Sequence, residues 1–222
     1  MSSEDIQDTD TEARFEFKKE EESAFESEKG LTEETIRVIS EDKDEPDWML
    51  ERRLRALEQY KKMPMPTDWP GQPDLSELDV GEIVPYIRPD VDKREGVDDW
   101  DELPDNIKDT FEQLGIPEAE RNALSGVGAQ YESEVVYQNM QERWEEKGVV
   151  FCNMDEAVRE YPELVKEHFM TNCVPPSDNK FAALHGAIWS GGSFVYVPED
   201  VTVDMPVQAY FRMNSEGMGQ FE

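Results

Sequence analysis

Residues Gly192–Glu222 read GSFVYVPEDVTVDMPVQAYFRMNSEGMGQFE. The run predicts strand, turn, strand, turn, strand, with Pro198-Glu199-Asp200 and Met205-Pro206 as the breaks. In its last strand Val207, Ala209, Phe211 and Met213 fall on one face, and Gln208, Tyr210, Arg212 and Asn214 on the other. No Asn-Gly type hairpin signal is present. Short strands joined by small corners, with no helix between them, suit a solenoid of stacked β-turns, and a sandwich is the alternative. The chain stops while this sheet is in full run, so the expectation is a truncated solenoid. Arg212 is one of two basic residues after Thr171. It is a buried, partnered guanidinium if its face looks inward and an ordinary surface residue if it looks outward. Periodicity alone leaves these two readings even.

Working back from this run, the composition changes at about Cys173, and residues 171–222 form the expected β-rich unit. The preceding MQERWEEKGVVFCNMDEAVREYPELVKEHF (140–169) predicts helix, strand and helix. Gly148 stops the first helix, Val149–Cys152 form a buried strand, and Asn153 with Glu156 caps the next. AQYESEVVYQ (129–138) alternates Tyr131, Val135 and Tyr137 against Glu132, Glu134 and Gln138, which predicts one strand. In LPDNIKDTFEQLGIPEAERNAL (103–124) two helices are expected. Ile107, Phe111 and Leu114 form a stripe, Gly115 ends the first helix and Pro117 starts the second.

Residues 64–96 are rich in Pro, Gly and Asp and predict an extended surface connector anchored by Trp69, Ile83, Val84, Tyr86 and Ile87. EPDWMLERRLRALEQYKKM (45–63) predicts a helix with Asp47 as cap, a Leu50/Leu54/Leu57 stripe, and Lys61 and Lys62 in the last turn. Its basic cluster of Arg52, Arg53, Arg55, Lys61 and Lys62 reads as a solvated face. Thr32 caps a shorter helix carrying Ile36 and Ile39. Residues 1–30 hold eleven acidic and four basic residues and are expected to be a disordered acidic N-terminus. The expected division is therefore 1–30 disordered, 31–170 helical and mixed α+β, and 171–222 the start of the β domain.

Fifty-three Asp and Glu against 22 Lys and Arg give a net charge of −31. Self-repulsion of that size weakens a compact state at low salt, and molar salt screens it within about 3 Å. A halophilic cytoplasm is the expected setting. The same charge argues against nucleic acid or an anionic membrane as partner. MSSEDIQDTDTEARFEF has no apolar core of a signal peptide, and no stretch approaches a membrane span. The two cysteines, Cys152 and Cys173, are expected as free thiols.

Cys152, His168, Cys173 and His185 lack the paired spacing of a structural zinc site. No P-loop is present, so nucleotide hydrolysis by that route is not expected, and no nucleophile elbow is found. The SGVGAQ and WSGGS glycine turns lack a following helix cap.

EPDWMLERRLRALEQY, KGVVFCNMDEAVREYPELVKEHF, VPPSDNKFAALHGAIWSGGSFVYVPEDV and QAYFRMNSEGMGQFE, in this order between Gly30 and Glu222, resemble the SufB family. That family is the scaffold subunit of Suf iron–sulfur cluster assembly. With the acid excess, the chain resembles a member from a halophilic archaeon. The resemblance implies an α+β chain in which a helical and mixed N-terminal region leads into the first turns of a right-handed parallel β-helix, here truncated. It also implies the SufC ATPase and SufD as partners, a scaffold and not an enzyme, and a transient iron–sulfur cluster on the full-length protein. The family's cluster-related cysteines lie after this stretch, and Cys152 and Cys173 do not match them, so no cluster is expected on this chain alone. Arg212 and Asn214 match a family R-x-N strand facing an interior sulfur route, which tips the even reading inward. The alternative is a β-solenoid enzyme such as a polysaccharide lyase or acyltransferase. That class needs clustered carboxylates for calcium or a catalytic His on the sheet, and residues 192–222 supply neither.

Overall fold

A computed structural model describes residues 23–66, 75, 78–90, 97, 99–114 and 124–221. Most of the expected disordered N-terminus, Trp69, Gly115, Pro117 and the helix expected after it lie outside these residues. Within the N-terminal stretch, β1 (Ser23–Glu26) pairs antiparallel with β2 (Ile87–Pro89). Helix α1 (Glu33–Asp42) starts as its sequence dictates: the Thr32 hydroxyl accepts from the Thr35 amide at 3.0 Å, and Ile36 and Ile39 are buried.

Helix α2 (Asp47–Lys62) begins at Asp47 itself, with Pro46 ahead of it and no side-chain cap. It packs on α7 (Lys180–Ile188), and each helix ends the other. The Arg53 guanidinium donates to Ala187 O and Trp189 O at 3.2 and 2.9 Å, and Lys180 Nζ donates to Tyr60 O and Met63 O at 2.9 and 2.8 Å. Free carbonyls at both C-termini are thus satisfied by cations, which also suit the helix dipoles. This reciprocity fixes the pair as antiparallel. The approach is close: a Cβ on Gly186 would lie 2.9 Å from the Ala56 Cβ. Leu57, Leu184, Ala187 and Ile188 join Ile36 and Ile39 in one apolar cluster.

The second layer is a three-stranded sheet ordered β4-β3-β7. β3 (Gly126–Tyr131) and β4 (Glu134–Met140) form an antiparallel hairpin about Glu132-Ser133. β7 (Val207–Arg212) runs parallel to β3, from Gly126 opposite Val207 to Tyr131 opposite Arg212. On one face Val127, Ala129 and Tyr131 pack with Ile107 and Phe111 of α3 (Asp105–Leu114) and with Trp100. On the other face Gly126 lies under Phe151, where an added Cβ would meet the ring at 2.7 Å. Phe151 belongs to β5 (Val150–Asn153), antiparallel to β6 (Ser193–Tyr196). Around β5 stand the short α4 (Glu142–Glu145), α5 (Met154–Glu160) and α6 (Pro162–His168).

These pairings overturn the right-handed parallel β-helix. Among the described residues no solenoid coil is present: β6 pairs antiparallel with β5, and β7 pairs with β3, so neither stacks on the other. The solenoid-enzyme alternative loses its scaffold with it. FAALHGAIW is also not a strand. The Asn179 side chain accepts from the Phe181 and Ala182 amides and starts α7, a helix apolar on nearly every side. A run of that kind has no face periodicity to separate buried helix from buried strand. The single strand expected over 129–138 is two strands and a turn. No helix among the described residues is long and apolar enough to cross a membrane.

Candidate functional site

The β3–β4 turn carries a buried carboxylate with an unusual backbone. Glu132 has φ +54°, a conformation costly for a residue with a side chain. Its placement is held by the end of the chain: the Glu132 amide donates to Arg212 O at 2.9 Å, and its Oε1 accepts from the Asn214 amide at 3.2 Å, the Ser215 amide at 2.8 Å and the Ser215 hydroxyl at 2.7 Å. Its carbonyl accepts from Gln130 Nε2 and Gln220 Nε2 at 3.1 and 3.2 Å. Gln130 Oε1 in turn accepts from the Gly192 amide at 2.7 Å, beside Gly191, where φ is +68° and a Cβ would sit 2.3 Å from that oxygen. Only glycine fits there.

The structure brings Arg212 and Asn214 to this locus. Asn214 is buried beside Glu132. Arg212 is half-buried and opposes Tyr131, on the sheet face that Tyr210 shares with the Trp100–Phe111 cluster. On the reverse face Val207 and Ala209 are half-buried, whereas Phe211 and Met213 are 45% and 47% exposed. Ile87, Asn106, Tyr131, Glu132, Asn214 and Ser215 line a cavity of about 40 Å³. That is room for a few waters and not for an organic substrate.

A second polar locus joins α1 to the sheet. Lys43 Nζ donates to Asp155 Oδ2 at 2.8 Å and to Glu134 Oε1 at 3.1 Å, all three side chains being buried. The Tyr86 hydroxyl lies 2.6 Å from Glu134 Oε1 and 2.7 Å from Asp42 Oδ2, and Arg88 Nε donates to the latter at 3.0 Å. Burial pushes the Glu134 carboxyl up, Lys43 opposes and Asp155 adds to the rise. Burial also raises the Tyr86 phenol, aided by Glu134. For Lys43 burial pulls down, but Asp155 and Glu134 outweigh it and hold the ammonium above its usual range.

The basic cluster of α2 is not one solvated face. Arg53 is 0% exposed, pairs with Glu45 at 2.8 and 2.5 Å and stacks over Trp189 at 4.5 Å. Arg52 donates to Val165 O, Lys166 O and Phe169 O at the end of α6. Cys152 is buried in β5 and burial pushes its thiol up to about 12, whereas Cys173 is exposed. Among the described residues no three of His, Cys, Asp and Glu gather as metal ligands. Sequence reasoning missed Lys43, Glu132, Glu134 and Asp155. A polar residue in an alternating strand reads as outward, and only the Glu-Ser step between two apolar runs marks the turn.

Residues 105–209 match the family described as SufBD protein N-terminal region. The chain is 54% identical over 209 residues to an iron-sulfur cluster assembly SufBD family protein of Staphylococcus saprophyticus, 56% to one of Staphylococcus haemolyticus and 53% to one of Staphylococcus aureus strain USA300. Each alignment covers 94% of the chain and 43% of the relative. The chain thus spans less than half the length of these relatives.

Proposed function

We propose that the chain belongs to the SufBD family, whose N-terminal region residues 105–209 match, and that it serves as the N-terminal part of a SufB-type scaffold in iron–sulfur cluster assembly. The observation that carries this reading is identity above half, sustained over 94% of the chain, with relatives named for that process. In this role the chain is not an enzyme. It works in the cytoplasm with the SufC ATPase and SufD, and the cluster is transient cargo held by residues outside 1–222. Arg212 and Asn214 act as inward-facing residues on the sulfur route. The Glu132 carboxylate supports the assignment of Asn214 by fixing its backbone, so that the side chain is presented in one place. The acid excess is an adaptation to a salt-rich, archaeal-type interior.

A chimera tests the reading. Residues 1–222 replace the aligned region of a staphylococcal relative in cells that depend on it, and the activity of iron–sulfur enzymes is measured. Restored activity is expected. A chimera that accumulates, folds and leaves those enzymes without clusters sinks the proposal. Arg212→Ala in the same chimera is expected to lower cluster delivery without lowering its abundance.

A further inference from the structure

The Tyr86 hydroxyl sits within hydrogen-bond distance of two carboxyl oxygens, Glu134 Oε1 at 2.6 Å and Asp42 Oδ2 at 2.7 Å. A phenol carries one hydrogen and can donate to one of them. Two oxygens do not rest that close with only lone pairs between them, so the other contact requires a hydrogen on the carboxyl side. The groups facing the site are Asp42 and Lys43 from α1, Tyr86 and Arg88 from the β2 strand and its approach, Glu134 from β4, and Asp155 and Arg159 from α5. Arg159 reaches the Lys43 carbonyl at 3.5 Å. Lys43 lies on Asp155 and Arg88 on Asp42, so with Arg159 three cations face three carboxyls, and the two short oxygen contacts, not the charge count, call for a proton. An ionised Glu134 would add a further buried negative charge beside both carboxylates. The Lys43 distances agree: 2.8 Å to Asp155 suits an ionised acceptor, and 3.1 Å to Glu134 suits a neutral one.

We propose that Glu134 is a proton-binding site: its neutral carboxyl donates to the Tyr86 oxygen, Tyr86 donates to Asp42, and this shared proton clasps α1 and β2 to β4. Asp42 is the more open end of this chain of contacts, with its side chain 13% exposed against 6% for Glu134. Loss of the proton leaves like charges on both sides of one phenol and loosens α1 from the sheet. The clasp is therefore a pH-sensitive device, closed at neutral pH and released by alkali. It stands on this geometry and is independent of the cluster-assembly reading.

Carbon-13 NMR of glutamate carboxyls in the folded chain tests it, with the Glu134 signal identified by its absence in Glu134→Gln. The expected midpoint lies above neutral pH, as a clasp closed at pH 7 requires, where an ordinary carboxyl would already be ionised. A midpoint below pH 7 overturns the proposal. In Asp42→Asn the new amide can donate to the phenol oxygen, which frees Tyr86 to donate to an ionised Glu134. The midpoint should then fall by about one unit or more, a tenfold loss of proton affinity. An unchanged midpoint means that burial alone holds the proton and ends the shared-hydrogen account. Should Asp42→Asn not fold, Glu134→Gln decides. As an isosteric mimic of the neutral acid it should melt with the wild type near the ordinary carboxyl value and lose the decline that Glu134 causes as pH rises from there to its folded midpoint, and a variant that melts well below wild type at pH 7 overturns the proposal.

Discussion

Arg52 and Arg53 are neighbours in sequence and terminate two different helices: Arg52 donates to carbonyls at the end of α6, Arg53 to those at the end of α7. Adjacent positions on α2 point about 100° apart, so one helix can serve two neighbours only if they pack on adjoining sides. Their environments differ. Arg53 is fully buried with Glu45 as its ionic partner, and Arg52 is part-buried against Trp48.

Arg53→Ala is expected to destabilise the fold by roughly 3–5 kcal/mol, because it leaves Glu45 buried and unpaired. Arg52→Ala should cost about 1 kcal/mol, the scale of ordinary hydrogen bonds whose carbonyls can reach water. Denaturant melts of both variants check the ranking, and equal losses would refute it.

Stability should fall in alkali through Lys43. Its folded pKa lies above the unfolded value, so its contribution is complete below about 10.4 and is lost as pH climbs through the folded value. Lys43→Met removes this dependence and, by stranding Asp155, is expected to cost about 3–5 kcal/mol near neutrality. Thermal melts between neutral pH and strong alkali read both effects.

Glu132→Ala should release the Asn214 and Ser215 amides, at a cost of about 1–3 kcal/mol for buried donors left without an acceptor. Glu132→Gln keeps an acceptor oxygen and should lose less. Hydrogen exchange at these two amides is the measurement. Equal protection in wild type and Glu132→Ala would show that the carboxylate does not hold them.

The two thiols should differ in reactivity. Iodoacetamide at mildly alkaline pH is expected to label Cys173 and leave Cys152 unmodified until the protein unfolds, since burial keeps the Cys152 thiol protonated up to about 12. Mass spectrometry of native and denatured samples checks this. One exposed and one buried thiol also give too few ligands for a stable cluster, so anaerobic reconstitution of residues 1–222 should yield none.

Salt should stabilise the chain. With a net charge of −31, the melting midpoint is expected to rise by several degrees from low to molar potassium chloride. A midpoint unchanged over that range removes the salt-adaptation reading.

Much of the local structure was legible. Thr32 and Asn153 cap the helices they precede, Gly148 turns at φ +77° after α4, and Leu57 of the Leu50/Leu54/Leu57 stripe is buried. Such features depend on residues within one turn of each other. The solenoid failed because an alternating strand declares its two faces and not its neighbours: Phe211 and Arg212 look alike whether the next strand is β3 or a later coil. The two polar loci were illegible for the same reason. Lys43 and Asp155 meet across 112 residues, and nothing near either one says so. Arg212 stood out as a rare basic residue on an alternating strand and Asn214 was added by resemblance, whereas the carboxylate that anchors Asn214 was not read at all.

The pairing of β3 with β7 sets a timetable for synthesis. The β3–β4 hairpin closes from local sequence, but the ligands of its Glu132 turn lie 82 and 83 residues further on. At about 5–20 residues per second a ribosome takes roughly 4–17 s to deliver them. Through that interval the hairpin has no partner for the β3 edge, and water takes the place of the Asn214 and Ser215 amides at the Glu132 carboxylate. Gly126 and Gly128 make that edge a poor template for stray strands, since glycine weakens intermolecular pairing as well as native pairing. The glycines that let Phe151 settle onto the finished sheet are thus also the positions at which the unfinished edge pairs most weakly.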